Sequence, residues 1–378
     1  MILIRQVLDV HPASKTLLTS CSTLITAIVA CYPTRYTWAD MERWSRHLRT
    51  VDKGQGTTSA FYAFAEYAKH QADLDWWTMF VRDYIQVCAA MQDVQLQALI
   101  CDCISSVSQS VYTEFPSTTK RFLLSLVLGY AAEQSATLRA SACRAIGILV
   151  VYEKDDVLFL LDAARAVLST CSNAMQQARI RSSWALANIL DLFADHADGG
   201  ELFDQLDRYR QILDVGIQAA QDNDKLRPNG VRIIGTVLCL KRDGFTHDMD
   251  MVDKAVLLMC HHVGTGSFKL RWNACHAFGK MLRNSNFPIG TALWTAQVYE
   301  CLLAAVAEKK NFKVRIHALV ALASPSRVEQ YGGWKERILN QIQSTRALDA
   351  SIVKQDEEIY KEQLEKQMAA CIQHLNSL

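Results

Sequence analysis

The sequence predicts an all-α solenoid, a superhelical stack of helix pairs. Three observations carry the prediction. A stripe of small residues recurs along the chain, an amphipathic helical pattern fills each interval between recurrences, and no run shows the two-residue alternation of a strand.

The stripe is read from an anchor residue, with small residues at +3, +6 and +8. Thr57 gives Ala60, Ala63 and Ala65; Gln95 gives Ala98, Cys101 and Cys103; Arg139 gives Ala142, Ala145 and Gly147. Arg179 gives Ser182, Ala185 and Ala187; Arg227 gives Gly230 and Gly235 around Ile233; Arg271 gives Ala274, Ala277 and Gly279; Arg315 gives Ala318, Ala321 and Ala323. The anchors are 38, 44, 40, 48, 44 and 44 residues apart, the period of a two-helix repeat. Only Ile233 breaks the pattern. Small residues at this spacing share one helix face and let a neighbouring helix approach closely, so filling the stripe, as by Gly279→Leu, should destabilise the stack.

Composition agrees. Half of the 378 residues are hydrophobic and six are proline, which suits ordered helices rather than disorder. Forty basic and 39 acidic residues leave a formal charge of +1, which gives no global attraction to nucleic acid or an anionic membrane. The twelve cysteines sit largely within apolar helical stretches, as free buried thiols of a reducing compartment do. The expected location is therefore intracellular, cytoplasmic or nuclear. The apolar run at 17–31 is too short to span a bilayer and reads as a buried helix.

Taken in order, residues 1–50 are leading helices of an incomplete array, with no polar cap. The segment 52–57, with Gly54 and Gly56, reads as a flexible break, and 51–348 holds about seven helix pairs. First helices are expected at 76–91, 119–132, 155–168, 202–220, 249–262 and 292–307, each with apolar residues at i, i+3, i+4 and i+7. Breakers such as Asp198-Gly199-Gly200 and Ser324-Pro325-Ser326 fall between repeats. Residues 349–378 form a charged capping helix whose apolar stripe comprises Ile359, Leu364, Met368, Cys371, Ile372 and Leu375.

An arginine opening the second helix of a forty-odd-residue unit, with small residues behind it, resembles the HEAT repeat of the HEAT/armadillo α-solenoids. A narrower resemblance covers residues 268–332. Phe268-Lys269-Leu270-Arg271-Trp272-Asn273-Ala274-Cys275-His276-Ala277-Phe278-Gly279, Pro288-Ile289-Gly290-Thr291-Ala292-Leu293-Trp294-Thr295, Lys310-Asn311-Phe312-Lys313-Val314-Arg315-Ile316 and Glu329-Gln330-Tyr331-Gly332 are similar to the C-terminal region of the HEAT repeat-containing protein 6 family. That family's proteins are longer, so the resemblance implies that this chain is a C-terminal part or short form. It implies a solenoid and carries no catalytic motif.

Candidate sites follow from the helical wheel. Position +2 runs Gln97, Ser141, Arg181, Asn229, Asn273 and His317, and position +5 runs Ile100, Arg144, Trp184, Arg232, His276 and Val320. Equivalent positions align in a stack, so these columns are expected to form one exposed, polar to basic strip on the concave side. Its candidate contacts are Arg144, Arg181, Trp184, Arg232, Asn273, His276 and Lys280. The anchors Arg139, Arg179, Arg271 and Arg315 are assigned to structure, bonding carbonyls or acids of a neighbouring helix. Of Trp76 and Trp77, one is expected in the core and the other partly exposed. Cys260-His261-His262 cannot bind a metal as adjacent helical residues pointing apart. No phosphate loop or nucleophile elbow is present. The expectation is a non-enzymatic scaffold or adaptor for protein partners, without cofactor, metal, membrane or small-molecule substrate. The alternatives are a nucleic-acid-binding solenoid using Arg144, Arg181 and Arg232, against which the neutral charge argues, and transport-receptor-like cargo binding.

Overall fold

The computed structural model describes residues 15–51, 53–308, 311–350 and 358–378. They fall into two compact units, one running to Ala185 and the other from Leu186. The described residues contain helices and no strand.

The first unit comprises α1 (Lys15–Cys31), α2 (Trp38–Val51), α3 (Lys53–Ala68), α4 (Leu74–Phe80), α5 (Gln86–Ala89), α6 (Val94–Ile104), α7 (Gln109–Glu114), α8 (Ser117–Ala131), α9 (Ala136–Tyr152) and α10 (Val157–Leu168). It ends within α11 (Gln176–Asp195), and a π-helical turn at Val81–Ile85 joins α4 to α5. Second helices α1, α3, α6 and α9 pack in succession, with first helices such as α2 and α8 against them.

The second unit continues from the end of α11 with α12 (Gly199–Asp204), α13 (Tyr209–Gln221), α14 (Arg227–Leu240), α15 (Met249–Thr265), α16 (Phe268–Met281), α17 (Thr295–Ala307), α18 (Phe312–Leu322), α19 (Lys335–Ala350) and α20 (Glu358–Ser377). Second helices α14, α16, α18 and α20 form one layer, and first helices α13, α15, α17 and α19 form the other. Each unit is thus an α-solenoid of stacked helix pairs.

The small-residue stripe is the seam between successive second helices. Its members are buried except Ala323, which is half-exposed. The +8 residue of one helix faces the +6 residue of the next. A Cβ added to Gly235 would stand 2.5 Å from the Ala277 Cβ, and one added to Gly147 would stand 3.1 Å from the Ala185 Cα. At Gly279 the same atom would lie 3.6 Å from the Ala321 Cα, an ordinary contact. Between second helices Gly235 and Gly147 are tight and Gly279 has room for a methyl group, which narrows the expectation drawn from its sequence position; Gly230 lies instead against the paired first helix, where a Cβ would stand 2.3 Å from the Ala220 nitrogen.

Helix starts follow their caps. Ser135, Ser267 and Asn311 stand four residues before Arg139, Arg271 and Arg315, and each side chain accepts from the backbone N–H three residues on. The anchor arginines then bind main chain. Arg271 Nε donates to the Val263 carbonyl at 2.7 Å, and Arg315 Nε to the Val306 carbonyl at 2.7 Å. Both carbonyls lie in the last turn of the preceding first helix, where acceptors lack helical partners and a cation is favoured. Arg139 Nε donates to Thr170 Oγ1 and Arg179 Nη1 to the Ala174 carbonyl, both at 2.9 Å.

Three local expectations need correction. The break at 52–57 is helical from Lys53 onward, with residue 52 outside the described residues. Gly56 permits this: a Cβ there would lie 2.2 Å from the Leu48 carbonyl oxygen, so only glycine lets α3 pass α2 so closely. The helix expected at 202–220 is two, separated where Asp207 takes a left-handed φ of 48°. Trp76 and Trp77 are both buried, because Trp38 and Phe80 close over the pair: the Trp76 ring stacks on Phe80 at 4.8 Å and meets Trp38 edge-on at 5.4 Å. The C-terminal helix is described over Glu358–Ser377, residues 351–357 lying outside the described residues. It packs on α18 and α19, taking the position of a second helix while burying Leu364, Met368, Cys371 and Leu375.

Candidate functional site

The candidate strip residues gather in two separate clusters, one in each unit. In the first unit, Arg144 projects from α9, and Arg181 and Trp184 from α11. Arg181 Nη1 donates to Ser141 Oγ at 2.9 Å, and Arg144 Nη1 stands 3.6 Å from Asp102 Oδ1 on α6. Burial raises the Asp102 carboxyl, against the lowering pull of Arg181, Arg144 and Lys69. Burial also lowers Arg181, with Asp102 opposing it. A guanidinium stays charged in protein, so Asp102 is the counter-charge that lets two arginines occupy one helix layer. The Trp184 ring lies against Gly147 of α9, where a Cβ would come within 2.5 Å of it, and the residue is half-buried.

In the second unit the organiser is Asp191, near the end of α11. It accepts from Arg232 Nη2 at 2.7 Å, Lys280 Nζ at 2.7 Å and Thr236 Oγ1 at 2.8 Å. Arg232 Nη2 also donates to Asn188 Oδ1 at 2.9 Å. Three second helices, α11, α14 and α16, are thereby tied by one carboxylate. Burial would raise the Asp191 carboxyl, but the charges and hydrogen bonds of Arg232 and Lys280 outweigh it and hold it below the ordinary carboxylate value.

One turn from Lys280, His276 meets His317 of α18 edge-on at 5.3 Å between ring centroids. Trp272 stacks on His317 at 5.3 Å, and Lys313 Nζ lies 3.7 Å from the centre of the Trp272 ring, a cation–π contact. Burial, then His276 and Lys313, push His317 down to about 4. Burial, then Lys280, lower His276 as well, with Asp191 opposing. Both imidazoles are therefore neutral at pH 7 and present hydrogen-bonding rather than charged edges.

The strip was expected to lie exposed, and this is corrected. Asn273 and Lys280 are only 4% and 7% exposed. Asn273 Nδ2 turns back to the Lys269 carbonyl at 2.7 Å, and Lys280 is held by Asp191. Ser141 and Ile100, from the same columns, are buried, while Arg144, Arg181, Trp184, Arg232 and His276 are half-buried. The reason is the closeness of the stack: at a glycine and alanine seam, long polar side chains reach the neighbouring helix and bond there instead of to water. Residues that the wheel did not single out complete the clusters: Asp102, Asn188, Asp191, Thr236, Trp272 and Lys313. An acid two or three turns along the preceding second helix is the signal that marks Asp102 and Asp191 as partners of the next helix's basic column.

Other features fall to structure. His262 Nε2 lies 2.8 Å from the Ala220 carbonyl oxygen while His261 pairs with Thr265, so the two rings of Cys260-His261-His262 serve different neighbours. Among the described residues no group of three or more His, Cys, Asp or Glu converges as a metal site would require. A groove of about 750 Å³ in the second unit is bordered by His196, Glu201, Asp204, Arg242 and Asn286, and Arg242 is paired with Glu201 at 3.0 Å. No helix among the described residues is long and apolar enough to cross a membrane. All twelve cysteines are free.

Comparison with known proteins agrees with the architecture. No family profile matches the chain. It is 23% identical over 398 aligned positions to an uncharacterized protein of Dictyostelium discoideum, an alignment covering 75% of this chain and 26% of that protein. The chain thus spans about a quarter of that relative's length. Among solved structures, an engineered protein superposes with a TM-score of 0.65 at 12% identity, covering 99% of this chain and 88% of its own. A designed armadillo repeat protein superposes with a TM-score of 0.50 at 14% identity, covering 67% of this chain and all of its own. The helix pairs, the small-residue seam and these likenesses define a HEAT/armadillo-type α-solenoid.

Proposed function

We propose that the chain is a non-catalytic scaffold or adaptor that binds protein partners along its second-helix strip. The observation that carries this reading is the presence, within each unit, of half-buried second-helix side chains, Arg144, Arg181 and Trp184 in the first and Arg232 and His276 in the second, with Arg144, Arg181 and Arg232 held by internal partners. Pre-ordered arginine, tryptophan and histidine side chains lose little conformational entropy on binding and are the residue types that anchor protein interfaces. Asn273 and Lys280 then support the strip from beneath. Pairing of Arg144 with Asp102 and of Arg232 with Asp191 leaves little uncompensated charge to draw a phosphate backbone, which favours a protein partner over nucleic acid. The sequence likeness over 268–332 is what supports a relationship to the HEAT repeat-containing protein 6 family; the described residues of that segment hold α16, α17, α18 and a 3-10 turn at Val328–Tyr331. Under this reading the protein acts inside the cell, and residues 51–348 form the partner-binding array.

The test is site-specific photo-crosslinking. A photoreactive residue at Trp184 or His276 should capture a partner that one at Asp162 or Glu300, exposed on first helices, does not. Arg144→Glu or Arg232→Glu should reduce that capture. Equal capture from first-helix positions would move the site elsewhere.

A further inference from the structure

The first-helix layer of the second unit places two thiols together. Helices α15 and α17 pack side by side. Their register is pinned where Trp294 Nε1 donates to Asp253 Oδ1 at 2.7 Å, between residues 41 apart. Cys260 and Cys301 are also 41 apart, each seven residues beyond that pair. Seven residues is about two helical turns, so the cysteines lie on the same two facing surfaces. The Cys301 thiol interacts with that of Cys260, and its Sγ donates to the Val298 carbonyl at 3.2 Å. Both side chains are half-buried, whereas Cys101, Cys103, Cys143, Cys171 and Cys275 are buried. The pair combines proximity with access.

We propose that Cys260 and Cys301 form an oxidisable dithiol, which a peroxide converts to a disulfide stapling α15 to α17. Contact with Cys260, and then burial, raise the Cys301 thiol, so Cys301 stays protonated and serves as the resolving group. The Cys260 thiolate attacks one oxygen of hydrogen peroxide; the O–O bond breaks, hydroxide leaves and Cys260 becomes a sulfenic acid. The Cys301 sulfur then attacks the sulfenic sulfur; the S–O bond breaks and water leaves, taking up the Cys301 proton. In sum two thiols and one hydrogen peroxide give one disulfide and two waters. The link closes a loop across two adjacent repeats and prevents their first helices from separating.

Peptide mapping tests this without ambiguity, because trypsin isolates each thiol. Cys260 is the only cysteine in the peptide 255–269, and Cys301 the only one in 284–309. The full chain is treated with a few equivalents of hydrogen peroxide in native buffer, alkylated, digested and analysed without reduction. The expected species is 255–269 linked to 284–309, released by dithiothreitol, with the thiol count falling by two. In Cys301→Ser, dimedone should trap a sulfenic acid on Cys260; in Cys260→Ser the link should vanish. Circular dichroism verifies that each variant keeps its helical content, and the wild-type map decides by itself if either does not. Recovery of the two peptides unlinked, or linked to other cysteines, would overturn the proposal.

Discussion

Ile233 Cγ2 lies 2.9 Å from the position that a Cβ would take on Gly216. The one large residue in the small-residue stripe is therefore matched by a glycine on the paired first helix, α13. A bulky stripe residue is tolerated because space was surrendered across the pair rather than along the seam.

This relationship predicts a thermodynamic coupling. Gly216→Ala should destabilise by about 1–3 kcal/mol through overpacking, offset in part by alanine's better helix propensity. Ile233→Ala should cost about 2–4 kcal/mol, since Ile233 is fully buried. The double variant should be more stable than the sum of the two losses by at least about 0.5 kcal/mol. Urea unfolding followed by circular dichroism measures all three, and strict additivity would show that the two residues do not share space.

A second contrast separates two glycines at the same repeat position. Gly235→Ala places a methyl group 2.5–2.7 Å from the Ala277 Cβ, Cα and carbonyl oxygen. Those atoms are backbone or attached directly to it and yield only if the helices part, so a loss of about 1–3 kcal/mol is expected. Gly279→Ala meets nothing closer than 3.6 Å, and helix propensity should make it neutral or stabilising by up to about 1 kcal/mol. The thermal melt of Gly235→Ala should fall while that of Gly279→Ala holds or rises; equal falls would refute the seam geometry.

A third prediction concerns Asp191. Asp191→Ala leaves Arg232 and the buried Lys280 without their carboxylate and should cost about 3 kcal/mol, whereas Lys280→Met keeps the Arg232 pair and should cost less. The Asp191 carboxyl is held below its ordinary value in the fold. Its stabilisation is therefore complete above the unfolded value of about 3.9 and is lost as pH falls through the folded value. Acid titrations of stability should show this loss in wild type and its absence in Asp191→Asn. An unchanged acid limb would show that Asp191 does not contribute it.

The sequence made the stack legible because burial in a solenoid is periodic. The +3, +6 and +8 residues repeat at a fixed interval, and the small side chains there report close helix approach directly. The electrostatic clusters were less legible. Asp191 has partners 41 and 89 residues away, Arg232 and Lys280, and which cation an acid meets depends on the rotation of each helix in the stack. Wheel geometry places Asn273 in one column and Arg232 and His276 in another, but does not give the depth at which each lies. The wheel columns do not single out Trp272, yet its ring carries the Lys313 ammonium. The break near Asp207 depends on a single left-handed residue, for which the amphipathic pattern through 202–220 gave no sign.

The last prediction follows from the imidazole pair. His317 is pushed down to about 4 in the fold, against about 6.5 in an unfolded chain. Between these values the unfolded chain binds a proton that the folded chain does not, so stability is fully present above pH 6.5 and declines as pH falls toward 4. The groups facing His317 act in one direction. Burial disfavours its charge first, His276 and Lys313 repel it, and Trp272 supplies an aromatic face but no carboxylate. His317→Phe keeps the stacking on Trp272 and removes the titration, so the fall in urea midpoint between pH 6.5 and 4 should shrink, leaving the smaller part that the lowered His276 contributes. Carbon-13 NMR of the imidazoles should show His317 titrating well below an exposed histidine. A full wild-type pH slope in His317→Phe would show that the ring is not desolvated between Trp272 and His276.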